Sequence, residues 1–286
     1  MCRLFGLTAG TARVRAEFWL LDAPDSLEAQ SRRNADGSGI GFFGPAGVPV
    51  LDKQPEPAFR DPEFTRQARQ AESSVFVAHV RLATAGGRLA RNTHPFAMHG
   101  RIMAHNGGFS EVARLEERLG PYAGLVAGDT DSERYFALIT QQADAHGGDV
   151  GAGIAAAARW IGANLPVTAL NTIVAAPGEL WALRYPGEHA LHVLQRPAGP
   201  SRAGGAAQPG LHVRSSTSSV HAPALQSAPS VVVASERLDG ETGWRMLAPG
   251  ELVHVRPDLS VRSEVVITQP PARPVPLTGQ NPNIDT

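Results

Sequence analysis

Directly after Met1 stands Cys2, the only cysteine in a chain of 286 residues. Removal of Met1 would leave this residue with both a thiol and a free α-amine. The thiol is a soft nucleophile. An α-amine has an unperturbed pKa of roughly 7.7–8.0, so near neutral pH a useful fraction can take the thiol proton and later return it to a leaving amine. Such a pair does nucleophile-plus-base chemistry with the backbone amine in place of a histidine. Taken alone, Cys2 reads more readily as a small apolar residue opening a buried strand.

Four polar runs adjoin short apolar strands: residues 34–39 (Asn-Ala-Asp-Gly-Ser-Gly), Arg81 to Gly87, His105 to Gly108, and Asp129 to Glu133. Polar loops at strand ends are where a rigid sheet presents functional groups. If these runs converge on Cys2, Arg81 offers a planar fork for a carboxylate and Asp131 a partner for an ammonium group. Asn106 and the backbone N–H of Gly107 offer two donors for a developing oxyanion. That set suits an α-amino acid with a scissile acyl group on its side chain. Each residue also has an ordinary reading: Arg81 as a surface ion pair, Asp131 as a helix cap, Asn106-Gly107 as a turn. Asp36 reads as a turn former. His79, His94, His99 and His105 are irregularly spaced and lack a neighbouring carboxylate cluster, which argues against a metal site. His79, His94 and His105 read instead as hydrogen-bonding supports for the loops. The 34–39 run lacks the lysine and spacing of a phosphate loop.

The elements that must position these groups are short. Cys2 to Thr8 reads as a strand, Ile40 to Phe43 and Val48 to Lys53 as a hairpin, and Ser74 to Val80 as a strand buried on both faces. Arg101 to His105 is another strand, and Ser110 is the expected cap of a helix to Leu119. Helices are expected over Glu17 to Arg33 (a pair broken at Pro24), Asp61 to Glu72, Ser132 to His146 and Gly151 to Leu165. The second half reads mostly as strands, around a Gly/Pro/Ala/Ser-rich loop at Pro197 to Gly210. Strands, then helices, then strands is not a βαβ order, and it indicates an α+β fold on mainly antiparallel sheets. A single domain over residues 2–268 and a flexible tail over 269–286 are expected.

Composition narrows the function classes. With 26 basic and 27 acidic residues the formal charge is −1, and the charges are interspersed, which argues against a nucleic-acid partner. One cysteine excludes an internal disulfide and any multi-cysteine zinc site. No run reaches the roughly 20 apolar residues of a membrane span, and no signal peptide is evident. The expected setting is cytoplasmic.

Taken in order, the motifs resemble the class II glutamine amidotransferase domain of the N-terminal-nucleophile hydrolases. They are Met-Cys-x-x-x-Gly at 1–6, Asn-x-Asp-Gly-x-Gly at 34–39, His79-x-Arg81-x-Ala83-Thr84-x-Gly86, Asn92-x-His94-Pro95-Phe96, Ala104-His105-Asn106-Gly107, and Gly128-Asp129-Thr130-Asp131-Ser132-Glu133. The resemblance implies a four-layer αββα sandwich and a cofactor-free enzyme. In it Cys2 attacks a glutamine-type side-chain amide and a γ-glutamyl thioester forms. It further implies Asn106 and Gly107 as the oxyanion hole, with Arg81, Thr84 and Asp131 binding substrate. Ala85 stands where many synthase members have histidine, and Cys2-Arg3-Leu4 replaces their Cys-Gly-Ile. The chain is therefore more similar to stand-alone members, the YafJ-like proteins and the γ-glutamyl hydrolases of ergothioneine synthesis. A separate ammonia-accepting synthetase is one expected partner. A non-catalytic sensor of glutamine-like ligands is the competing expectation.

Overall fold

The computed structural model describes residues 2–83, 86–198, 213–215, 218–220 and 228–276. In chain order the first strands are β1 (Arg3–Thr8), β2 (Gly37–Phe43), β3 (Pro49–Gln54), β4 (Val75–Arg81), β5 (Phe96–Met98) and β6 (Arg101–Phe109). Helices α1 (Leu27–Gln30), α2 (Pro62–Gln70), α3 (Val112–Leu119), α4 (Asp131–Ala145) and α5 (Val150–Asn164) fall between or after them. The later strands are β7 (Pro166–Ala176), β8 (Glu179–Leu183), β9 (His192–Arg196), β10 (Val213–Ser215), β11 (Ser218–Val220) and β12 (Ser230–Ala234). Last come β13 (Arg245–Met246), β14 (Glu251–Val255), β15 (Val261–Val265) and β16 (Arg273–Pro274).

Two sheets result, ordered β13-β9-β12-β1-β4-β2-β3 and β15-β14-β8-β7-β6-β5, with β10 and β11 paired separately. Neighbours are antiparallel, except that β16 runs parallel beside the start of β7. β4 is buried at every position, as its unbroken β-forming sequence predicts for a strand covered on both faces. One apolar layer joins the first sheet to α1 and α2 through Phe5, Leu7, Ile40, Phe76, Trp19 and Phe64. A second lies between the sheets, with Leu4, Val77, Ala104, Ile173 and Val233. A third joins the second sheet to α4 and α5 through Met103, Val174, Tyr135, Phe136 and Ile161. The fold is thus an αββα sandwich. Gly6 lets the two sheets close, since a Cβ there would stand 2.9 Å from Leu180 Cδ1 and 3.1 Å from Ile173 Cγ2. Among the described residues no helix is long and apolar enough to cross a membrane.

Several local expectations need correction. Glu17 to Arg33 holds only a wide helical turn over Phe18–Asp22 and the single turn of α1. Ser110 does not cap α3; Glu111 does, in a left-handed conformation, while the Ser110 N–H bonds to Pro166 O. Asn106-Gly107-Gly108 is not a loop but the continuation of β6, paired with Asn171, Leu170 and Ala169 of β7. The segment from 269, expected to be flexible, is held at its start: Gln269 O accepts from the Tyr185 hydroxyl, Ala272 N–H reaches Gly162 O, and Val275 N–H reaches Val167 O. Arg273 also pairs with Glu111. Backbone groups in partnership with strand and helix fix a segment that composition alone marks as tail.

Candidate active site

Side chains alternate across a strand, so parity decides what each sheet turns toward the other. Leu4 and Gly6 of β1 and Val75 and Val77 of β4 face the second sheet. The same parity carries Cys2, His79 and Arg81 to that face. On β6, Ile102 and Ala104 face inward, and Asn106 follows them. The layer between the sheets is therefore apolar along its middle and polar at one end, where a cleft opens. Cys2, Arg81, Leu82, His94, His105, Gly107, Thr130, Asp131 and Ser132 line it, around about 320 Å³ of space counted out to solvent.

The Cys2 sulfur sits against the first residue after β4. It accepts from Leu82 N–H at 3.3 Å and faces Leu82 O at 3.4 Å. Burial pushes the thiol pKa up; the Leu82 N–H and the Arg81 guanidinium pull it back, and Asp131 adds to the rise. Arg81 is buried and its guanidinium donates to Gly87 O at 3.1 Å and Gly86 O at 3.0 Å, so it also shapes the loop that follows it. Asp36 ties down the same loop, accepting from Ala83 N–H at 2.8 Å and pairing with Arg88. Thr84 lies outside the described residues.

Asp131 is the first residue of α4, and the cap is Thr130, whose hydroxyl accepts from Glu133 N–H. One oxygen of Asp131 accepts from Ser132 N–H at 2.8 Å and the other from Phe109 N–H at 3.1 Å. A carboxylate has about four acceptor positions, so these bonds aim it into the cleft without exhausting it. Gly107 is demanded by packing, because a Cβ there would stand 1.9 Å from Ala169 O. The side-chain amide of Asn106 makes no hydrogen bond to another residue among those described.

His105 behaves as expected, supporting the site. Ala169 O can only accept, so Nε2 carries the proton toward it at 3.3 Å, and Nδ1 accepts the Ser132 hydroxyl at 2.9 Å. His79 and His94 do not. Their rings lie tilted against each other at 4.3 Å, both are buried, and among the described residues none of their four ring nitrogens has a hydrogen-bond partner. Burial, reinforced by Arg81 and His105, lowers the His79 pKa to about 3, and His94 is likewise pushed well down. What places His94 is the glycine run of β2. A Cβ at Gly39 would stand 2.3 Å from His94 O, and one at Gly41 2.9 Å from Pro95 Cγ, so the chain at 94–95 lies directly on bare strand. These glycines serve close approach rather than a turn. Among the described residues no three His, Cys, Asp or Glu side chains are grouped to hold a metal.

Of the expected site residues, then, Cys2, Arg81, Gly107 and Asp131 share one cleft, and Asn106 adjoins Gly107 in β6. Sequence reasoning missed Leu82, His94, Thr130 and Ser132 as cleft walls. The signal for His94, Thr130 and Ser132 was their place inside the motif stretches.

The sequence matches the model of the family described as glutamine amidotransferases class-II over residues 1–274. A γ-glutamyl-hercynylcysteine sulfoxide hydrolase of Mycobacterium tuberculosis is 30% identical over 265 residues, 89% of this chain and 93% of that protein. A probable glutamine amidotransferase of Saccharomyces cerevisiae is 31% identical over 134 residues, 43% of this chain and 37% of its own length, so the match spans little more than a third of that relative. Among solved structures, a glutamine aminotransferase class-II domain protein of Silicibacter pomeroyi has the same fold, with a TM-score of 0.60 at 18% identity over 93% of this chain and 100% of that one.

Proposed function

The chain belongs to the class II glutamine amidotransferases, and on that premise we propose that it hydrolyses the side-chain amide of a γ-glutamyl compound with Cys2 as nucleophile. The observation that carries this reading is the meeting of Cys2, Arg81, Asp131 and Gly107 in one cleft. A cation and an anion beside a thiol match the carboxylate and ammonium of a glutamyl group, with the scissile carbonyl directed at sulfur.

In the proposed reaction, the α-amine of Cys2, free once Met1 is gone, takes the thiol proton as sulfur attacks the amide carbon. The carbonyl oxygen becomes an oxyanion, held by the Gly107 N–H and the Asn106 amide. Collapse expels ammonia or an amine, which receives the proton from the α-ammonium, and leaves a γ-glutamyl thioester. Water then attacks that thioester, the C–S bond breaks, and glutamate departs. Arg81 holds the substrate carboxylate and Asp131 its ammonium. The similarity to a γ-glutamyl-hercynylcysteine sulfoxide hydrolase along nearly its whole length favours a substrate with a leaving amine larger than ammonia. If glutamine is the substrate, the ammonia goes to a separate synthetase or to solvent.

Glutamate release from glutamine and a panel of γ-glutamyl amides tests this, with Met1-processed protein compared against Cys2→Ala. Turnover is expected to fall at least about 10³-fold in the variant, as for loss of a catalytic nucleophile. The preferred amide identifies the leaving group. Absence of glutamate from every amide, with Cys2 processed and reduced, would overturn the hydrolase reading and favour a sensor of glutamyl ligands.

A further inference from the structure

We propose that His94 positions the water that cleaves the acyl group from Cys2. This rests on Cys2 being the nucleophile. His94 is 4% exposed and lines the cleft with Cys2 and Gly107, yet neither ring nitrogen has a partner among the described residues. Leaving a buried polar group unmatched is destabilising, so such a ring in a cleft wall is matched to a polar guest. The other polar walls are already engaged: His105 is held between Ser132 and Ala169, and Asp131 between two backbone N–H groups.

Packing fixes the His94 ring. It lies tilted against His79 at 4.3 Å and against Phe96 at 4.6 Å, and its backbone rests on Gly39. Burial first, and then the neighbouring His79, His105, Arg81 and Lys53, keep the imidazole neutral. A neutral imidazole has one donor and one acceptor and no charge to offer a carboxylate. In the reaction above, Arg81 and Asp131 answer the substrate's charges, and Gly107 with Asn106 its carbonyl oxygen. The reactant without a partner is water. His94 accepts a hydrogen bond from that water through its unprotonated nitrogen. The water oxygen bonds to the thioester carbon and its proton passes to the Cys2 α-amine. When the oxyanion collapses, the C–S electron pair returns to sulfur, which takes that proton. His94 ends as it began, a positioning residue.

The test is rapid-quench kinetics of Met1-processed protein with a chromogenic γ-glutamyl anilide, on wild type, His94→Phe and His94→Gln, each checked for folding by thermal melting. In His94→Phe, the first equivalent of anilide is expected at close to the wild-type rate. Steady-state turnover then falls about 10²-fold, the scale of a misplaced reactant, and the acyl-enzyme is visible by intact mass. Hydroxylamine, which attacks without an ordered water, should restore anilide release and yield the hydroxamate. His94→Gln, which keeps a donor and an acceptor, should deacylate within about tenfold of wild type, and it carries the test should the phenylalanine variant fail to fold. Slowed acylation with no burst, or unchanged deacylation in His94→Phe, overturns the proposal while leaving Cys2 as nucleophile. A His94→Gln enzyme impaired in acylation alone overturns it too. Wild type that releases no anilide from any γ-glutamyl amide overturns both readings together.

Discussion

Asp131 serves the helix and the cleft with one carboxylate. Its oxygens take the N–H groups of Ser132 and Phe109, and its charge sits at the N-terminus of α4, where an anion is favoured. Asp131→Asn removes the charge and turns an NH₂ toward backbone donors. The expected result is a KM for γ-glutamyl substrates raised by at least about tenfold, in line with loss of a charge-assisted bond of about 1.5–3 kcal/mol. A substrate lacking the α-amine separates recognition from damage. Wild type should prefer the amino compound strongly and Asp131→Asn should barely distinguish the two; an undiminished preference would remove Asp131 from the ammonium site. Arg81 is similarly double, since its fork reaches the carbonyls of Gly86 and Gly87 while its charge lines the cleft.

At the scale of elements, β6 carries the sharpest constraint. Gly107→Ala would place a Cβ 1.9 Å from Ala169 O, and neither strand can yield without breaking the β6–β7 ladder. A loss of about 2–4 kcal/mol is expected by chemical denaturation, as for other strained backbone sites. Gly124→Ala, with nothing within 4 Å, should change stability by no more than about 1 kcal/mol. Equal effects at both positions would refute the steric account. The same strand shows where sequence reasoning stops. Asn106-Gly107-Gly108 has the composition of a turn, and nothing local reveals that Gly107 is there so that β7 can pass close by. The glycines of β2 mislead similarly, since their demand comes from His94 and Pro95, more than fifty residues away in sequence. The buried run of β4 and the hairpin β2–β3 were legible because hydrophobic pattern and turn residues encode them locally. Cys2, Arg81 and Asp131 were legible as chemistry, but their convergence was visible only through the ordered series of motifs. The unpartnered state of His94 is a property of packing, which no residue type announces.

Across the whole molecule, acid sensitivity follows from imidazoles held neutral. Burial lowers the pKa of His79 to about 3 and of His189 to about 4, and His94, His105 and His192 shift in the same direction. Each binds a proton more readily unfolded, near pH 6.5, than folded. Their contribution is therefore fully present above about pH 6.5 and is lost as pH falls toward the folded values. Asp52, raised to about 6 by burial beside Glu63, works in the opposite sense, as do Asp22 and Asp25, also raised by burial, but all three are partly exposed. Melting temperature is expected to fall steadily from pH 7 to pH 4.5, and a flat profile would contradict the burial of these rings. His79→Phe should flatten the slope.

The strand that begins at Arg3 lies between β4 and β12, so the chain's start is threaded between a neighbour ending at Arg81 and another ending at Ala234. On a ribosome the second of these neighbours does not exist until most of the protein has been made. At about 5–20 residues per second that delay is on the order of tens of seconds. Throughout it, β1 can pair with β4 alone, and its other edge stays open. The removal of Met1 that the proposed chemistry requires therefore has that interval before Ser230 to Ala234 close the sheet on the far side of β1.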